Sequence, residues 1–83
     1  MAIDYAKLRG VTARQLVAAL KKDGFALDRQ SGSHQLYRHP DKRQVTVSYH
    51  QSGDTFAVGT LRSIVEIQAG WTEADLRRLK LLK

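Results

Sequence analysis

The stretch from Gln44 to His50 constrains the fold more than any other part of the chain. Val45, Val47 and Tyr49 alternate with Thr46, Ser48 and His50. That two-residue period belongs to a half-buried β-strand, with one apolar face and one polar face. The apolar face has to be covered, and the helical patterns on either side are the available cover.

Two further strands precede it. Phe25 to Arg29 reads as a strand with Phe25 and Leu27 on one face. Ser31-Gly32 reads as a hairpin turn, because glycine accepts the positive φ that such turns need. His34 to His39 is the second strand, and Pro40-Asp41-Lys42 marks the next turn. Alternation places His34 with Leu36 on the covered face, and Tyr37, His39 and His50 on the open one.

Helices flank the strands. Thr12-Ala13-Arg14-Gln15 has the form of a capping box, in which Thr and Gln each satisfy a free backbone N–H. Ala13, Leu16, Val17 and Leu20 then form one helical stripe. Lys21 and Lys22 suit the negative helix end, and Gly24 supplies a left-handed exit. Gly59-Thr60 opens a second helix carrying Leu61, Ile64 and Val65, which Gly70 ends. Thr72 caps a third, short helix with Leu76 and Leu79. The expected class is α+β. A three-stranded antiparallel meander has helices on one face and a short C-terminal helix added. The 83 residues form one domain. Its core runs from about 12 to 70, with a lead-in over 1–11 and an extension over 71–83. No repeat, low-complexity tract or linker divides it.

Charge narrows the function. Fourteen Lys and Arg stand against eight Asp and Glu, a net charge of +6. Such an excess favours nucleic acid or an acidic protein partner. There is no cysteine, which fits a reducing cytoplasm. No apolar run approaches the roughly 20 residues that span a bilayer, and the first ten residues do not read as a secretory signal. The expected location is cytoplasmic, with no membrane partner.

Three histidines, His34, His39 and His50, fall in the strand region. Histidine exchanges protons near neutral pH. RNA carries its own nucleophile, the 2′-OH, so a base, an acid and nearby cations suffice to cut it. His34 follows a glycine-containing turn, where backbone can approach a phosphate closely. Gly32 and Ser33 would shape that turn. By spacing alone, His34 serves equally well as a histidine satisfied at the core edge. Arg29, Arg38, Lys42 and Arg43 flank the hairpins and are candidates for holding phosphates. Tyr37 is a candidate for stacking on a base. The three histidines lack a carboxylate at ligand spacing, so no metal and no cofactor is expected.

Taken in order, several motifs carry a family resemblance from about Thr12 to Gly70. They are Leu20-Lys21-Lys22-Asp23-Gly24-Phe25, Arg29-Gln30-Ser31-Gly32-Ser33-His34, Tyr37-Arg38-His39-Pro40, Val45-Thr46-Val47 and Gly59-Thr60-Leu61-Arg62-Ser63-Ile64. The chain resembles the HicA-type (YcfA-like) toxins of bacterial toxin–antitoxin systems. The resemblance implies a fold similar to a double-stranded-RNA-binding domain, and a metal-independent endoribonuclease acting on mRNA with His34 as the catalytic residue. It also implies a HicB-like antitoxin that covers the active site. The chain departs from the family pattern in places. Ser48-Tyr49-His50 stands where a proline often precedes the histidine that ends the third strand, and Val58 stands where a proline commonly precedes Gly-Thr-Leu. The helix ending Val65-Glu66-Ile67-Gln68-Ala69-Gly70 carries Glu66 where a lysine is often found and reads as one residue longer. A non-catalytic RNA-binding module and a protein-interaction domain of the same fold are the alternatives, told apart by whether bound RNA is cut.

Overall fold

A computed structural model describes residues 3–82, so Met1, Ala2 and Lys83 of the expected lead-in and extension lie outside the described residues. A 3₁₀ turn, Tyr5–Leu8, leads into α1, Ala13–Lys22. Strands β1, Ala26–Ser31, β2, His34–Arg38, and β3, Gln44–Ser48, follow. Then come α2, Val58–Arg62, a π-helical segment, Ser63–Gln68, and α3, Glu73–Arg78. The sheet is antiparallel in the order β1-β2-β3. Helical side chains such as Leu16, Leu20, Leu61 and Ile64 join Tyr37, Val45 and Val47 in one core.

The helix ends follow local chemistry. The Thr12 hydroxyl accepts from the Gln15 N–H at 3.3 Å, and Gln15 Oε1 accepts from the Thr12 N–H at 2.9 Å. Thr72 and Asp75 repeat the arrangement at α3. Gly24, at φ 105°, carries the chain out of α1. A Cβ there would lie 2.8 Å from His39 Nε2, so glycine is needed for space as well as for φ.

The strand faces differ from the alternation expected of β2. Gln35 and Tyr37 are buried, whereas His34 and Arg38 are exposed. Register is the cause. Tyr37 stands opposite Val45, and Gln35 opposite Val47. Opposed residues share a face, so burying the two valines carries Tyr37 and Gln35 inward with them. The open face therefore holds His34 beside Ser48, Leu36 beside Thr46, and Arg38 beside Gln44. β1 also departs from expectation. It is exposed along its whole length, Leu27 included at 47%, and a bulge leaves Asp28 unpaired between Leu27 and Arg29. The core contribution expected of this strand comes from Phe25 alone, just before it.

The second helix is not α-helical throughout. Past Arg62 it widens, and the Ala69 N–H donates to the Ile64 carbonyl five residues back at 2.8 Å. A π turn absorbs one extra residue in a helix. Ile67 is pushed outward to 77% exposure. Gln68 swings onto the sheet edge, where Oε1 accepts from the Thr46 N–H at 2.7 Å. The described parts of both extensions are anchored, since Tyr5, Leu8, Leu76, Leu79 and Leu82 all join the core.

Candidate active site

The site begins with the two-residue loop between β1 and β2. Ser31 pairs with His34, leaving Gly32 and Ser33 to turn the chain. Gly32 has φ 59°, and Ser33 has no positive φ, the arrangement of a II′ hairpin. A Cβ at Gly32 would meet nothing within 4 Å, so the glycine serves backbone conformation rather than close approach. The Ser33 carbonyl accepts from the Tyr49 N–H at 3.2 Å, and the Ser33 and Ser48 hydroxyls stand 3.4 Å apart. The turn is thus tied to the end of β3.

His34 starts β2 on the open face, exposed and opposite Ser48. Among the described residues its ring has no hydrogen bond or ion pair. At the same end of the sheet, but on the side to which Gln35 turns and without His34 in its lining, Gln30, Gly32, Ser33, Gln35, Tyr49 and His50 line a shallow concavity. Its floor is a polar network. Gln35 Nε2 donates to the Tyr49 hydroxyl at 3.0 Å, and the Tyr37 hydroxyl donates to Gln35 Oε1 at 2.6 Å. His50 reaches this end of the sheet because Asp54 folds the loop after β3. Asp54 Oδ2 accepts from the N–H groups of His50 and Gln51, both at 3.0 Å. Those two N–H groups, Gln51 first, hold the Asp54 carboxyl below its usual range.

The expected phosphate-binding residues spread over the whole sheet. Arg29 lies on the open face, opposite Leu36 and two residues from the partner of His34. That spacing is about 7 Å along a strand. Arg38 shares the face but starts about 13 Å away. Both arginines approach Asp28, Arg38 at 3.0 Å and Arg29 at 3.8 Å, so two guanidinium groups share one carboxylate. Lys42 is exposed at the opposite end of the sheet, with φ 79°.

Two of the expected residues are engaged elsewhere. Tyr37 is 2% exposed with its hydroxyl on Gln35, so its ring cannot stack on a base. The valine register described above buries it, and burial pushes its phenol pKa up. Arg43 is a structural anchor. It donates to the Ala69 carbonyl at 2.6 Å, contacts Asp41 at 2.7 Å and Asp23 at 3.1 Å, and lies 5.0 Å from the centre of the Phe25 ring.

His39 is equally committed. Its Nε2 lies 2.7 Å from the Asp23 carbonyl, and its Nδ1 accepts from the Asp41 N–H at 3.1 Å. The expectation that it is a solvated open-face residue gives way to a ring clamped between α1 and the β2–β3 turn. His50 is the histidine that shares the His34 end of the sheet. Sequence reading missed Gln35 and Tyr49, because nothing local says which side of β2 turns inward. It also missed Asp28, whose role depends on the bulge.

The description "HicA toxin of bacterial toxin-antitoxin" belongs to the family model that matches residues 13–71. No curated protein matches the chain. The matched span starts at the first residue of α1 and ends at Trp71. It contains the whole sheet, the Gly32-Ser33 loop and His34. With most of its length so matched, the chain belongs to the HicA family of toxins from bacterial toxin–antitoxin systems.

Proposed function

We propose that this toxin is a metal-independent endoribonuclease that cuts single-stranded mRNA in the cytoplasm, with His34 transferring the proton. The observation that carries the reading is the state of His34. It is exposed beside a tight turn, with a ring that no protein group occupies among the described residues, while His39 is held at both nitrogens. One group removes the proton of a ribose 2′-OH, and that oxygen attacks the adjacent phosphorus. A second group protonates the departing 5′-oxygen, leaving a 2′,3′-cyclic phosphate. Arg29 stands on the same face to offset charge building on the phosphate. His50 is the proposed second proton-transfer group. A HicB-like antitoxin restrains the toxin by covering the open sheet face around His34.

The test compares wild type with His34→Ala. The variant keeps its circular dichroism and melting temperature but loses RNA cleavage and growth arrest. Cleavage by wild type persists in chelator, and an RNA with 2′-deoxyribose at the scissile position stays intact. Wild-type cleavage rates in His34→Ala would refute the mechanism.

A further inference from the structure

The cations expected to hold RNA mostly face carboxylates, whereas a different set faces none. Arg29, Arg38 and Arg43 each contact an aspartate. Lys7, Lys21, Lys22 and Lys80 make no ion pair among the described residues. These lysines gather around one helix. The exposed positions of α1 are Arg14, Gln15, Ala18, Lys21 and Lys22. Offsets of one, four, seven and eight residues put them on a single face. No acidic residue occurs anywhere in α1. Two adjoining shallow grooves run along this face. Gln15, Lys22 and Lys80 help to line one; Lys7, Gln15 and Lys80 help to line the other; neither is lined by an acid.

The stripe is continuous with the His34 end of the sheet. The Ala13 and Arg14 N–H groups donate to the carbonyls of Asp54 and Ser52 at 2.8 and 3.0 Å. The loop that accepts them begins at His50, and Tyr49 just before it is bonded to Ser33. From there α1 runs about 15 Å to Lys22. We propose that the outer face of α1, extended by Lys7 and Lys80, is a phosphate track for RNA whose cut site lies at His34. This rests on the reading of the chain as an RNA-cutting enzyme. The surface suits a polyanion better than a protein. A protein interface is built round an apolar or aromatic centre. Ala18, Leu79 and Leu81 line the first groove between the lysines, but they are small or at least partly buried, and the large exposed apolar residues, Leu27, Val58 and Ile67, all lie off the stripe.

The test replaces three of the lysines together, as Lys21→Gln, Lys22→Gln and Lys80→Asn. Glutamine keeps helix propensity close to that of lysine, and asparagine tolerates the positive φ of residue 80. Melting curves confirm the fold. Binding of a long labelled oligouridylate is measured across a salt series in a His34→Ala background, so that the RNA stays whole. Each lost phosphate contact on a single strand lowers the slope of log affinity against log salt by about 0.7. The triple variant therefore loses about 2 from the slope. Between roughly 50 and 200 mM salt its affinity falls about 20-fold less than that of the parent. With His34 restored, cleavage of a short oligonucleotide that spans only the cut site keeps its rate.

An unchanged slope, in a protein that still binds and cuts RNA, overturns the track and leaves the nuclease reading standing. Failure of the wild-type protein to bind or cut any RNA overturns both. Retained RNA affinity with lost binding of the antitoxin assigns the stripe to a protein partner, which also overturns the track.

Discussion

Replacing Asp23 with alanine removes the acceptor on which three distant parts of the chain converge. The side chain is 10% exposed. It accepts from Trp71 Nε1 at 2.9 Å and from Arg78 at 2.8 Å, and lies 3.1 Å from Arg43. The Arg78 contact counts for little, because that side chain is half exposed and also reaches Asp75. Arg43 keeps Asp41 and the Ala69 carbonyl. The main losses are one charge-assisted contact and one buried indole N–H left without an acceptor, each worth about 1.5 kcal/mol. Asp23→Ala should therefore cost about 3 kcal/mol, against a total of roughly 4–12 kcal/mol for a domain of this size. That corresponds to a fall in melting temperature of about 12–24 °C. Asp23→Asn keeps an acceptor for Trp71 and should cost about half as much. Urea and thermal melts followed by circular dichroism measure both, with the fluorescence of Trp71 reporting the local environment. The cluster lies at the opposite end of β2 from His34, so activity per folded molecule should not change. A loss below about 1 kcal/mol, or asparagine as damaging as alanine, would refute this account of the cluster.

Three other outcomes are expected. Gly24→Ala should cost about 3 kcal/mol in urea melts, since it adds a clash with His39 to a strained φ; Gly32→Ala meets only the strain and should cost about 1 kcal/mol. Burial pushes the Asp23 carboxyl up, but hydrogen bonds from Trp71 and Arg78 and the charges of Arg43 and Arg78 outweigh it and hold the carboxyl below its usual range. A pKa depressed by folding gives stability that is complete above the unfolded value and lost as pH falls through the folded one. Stability should therefore rise with pH through the carboxylate range and level off above about pH 5, with the acid-side slope reduced in Asp23→Asn. His50→Ala should slow RNA cleavage by about 10²–10⁴ and remove one limb of the pH–rate profile; a profile with both limbs intact would move the second proton transfer to another group.

Features that depend on neighbours in sequence were legible, and features that depend on register or distant partners were not. The Thr12–Gln15 box and the Thr72 cap need only residues close in sequence, so the pattern sufficed to locate them; that Asp75 completes a second box is seen only in the structure. The alternation in β3 was equally clear. The inward side of β2 was not, because Leu36 and Tyr37 are both large enough to bury and only pairing with Val45 and Val47 decides between them. The charge of Arg43 is visible in sequence, but the carboxylate and carbonyl that occupy it come from Asp23 and Ala69. For the same reason the sequence points to the hairpins for phosphate contacts, although Arg29, Arg38 and Arg43 there each meet an aspartate while Lys21 and Lys22 on α1 form no ion pair among the described residues. His34 was singled out from the turn before it, but the alternation put it on the covered face, and the register with β3 turns it to the open one instead.

The π turn at Ser63–Gln68 bears on how such a domain tolerates insertions. An extra residue in an α-helix would rotate everything beyond it by about 100°. Here that rotation would carry Ala69 and Trp71 off the core and move Gln68 away from the edge of β3. Confining the surplus to one widened turn, with Ile67 expelled to solvent, leaves the positions before and after it in phase. The helix acts as an expansion joint. Relatives that differ by one residue at this point can share the same sheet, the same core and the same placement of His34, so an alignment gap there carries little information about whether the active site is preserved.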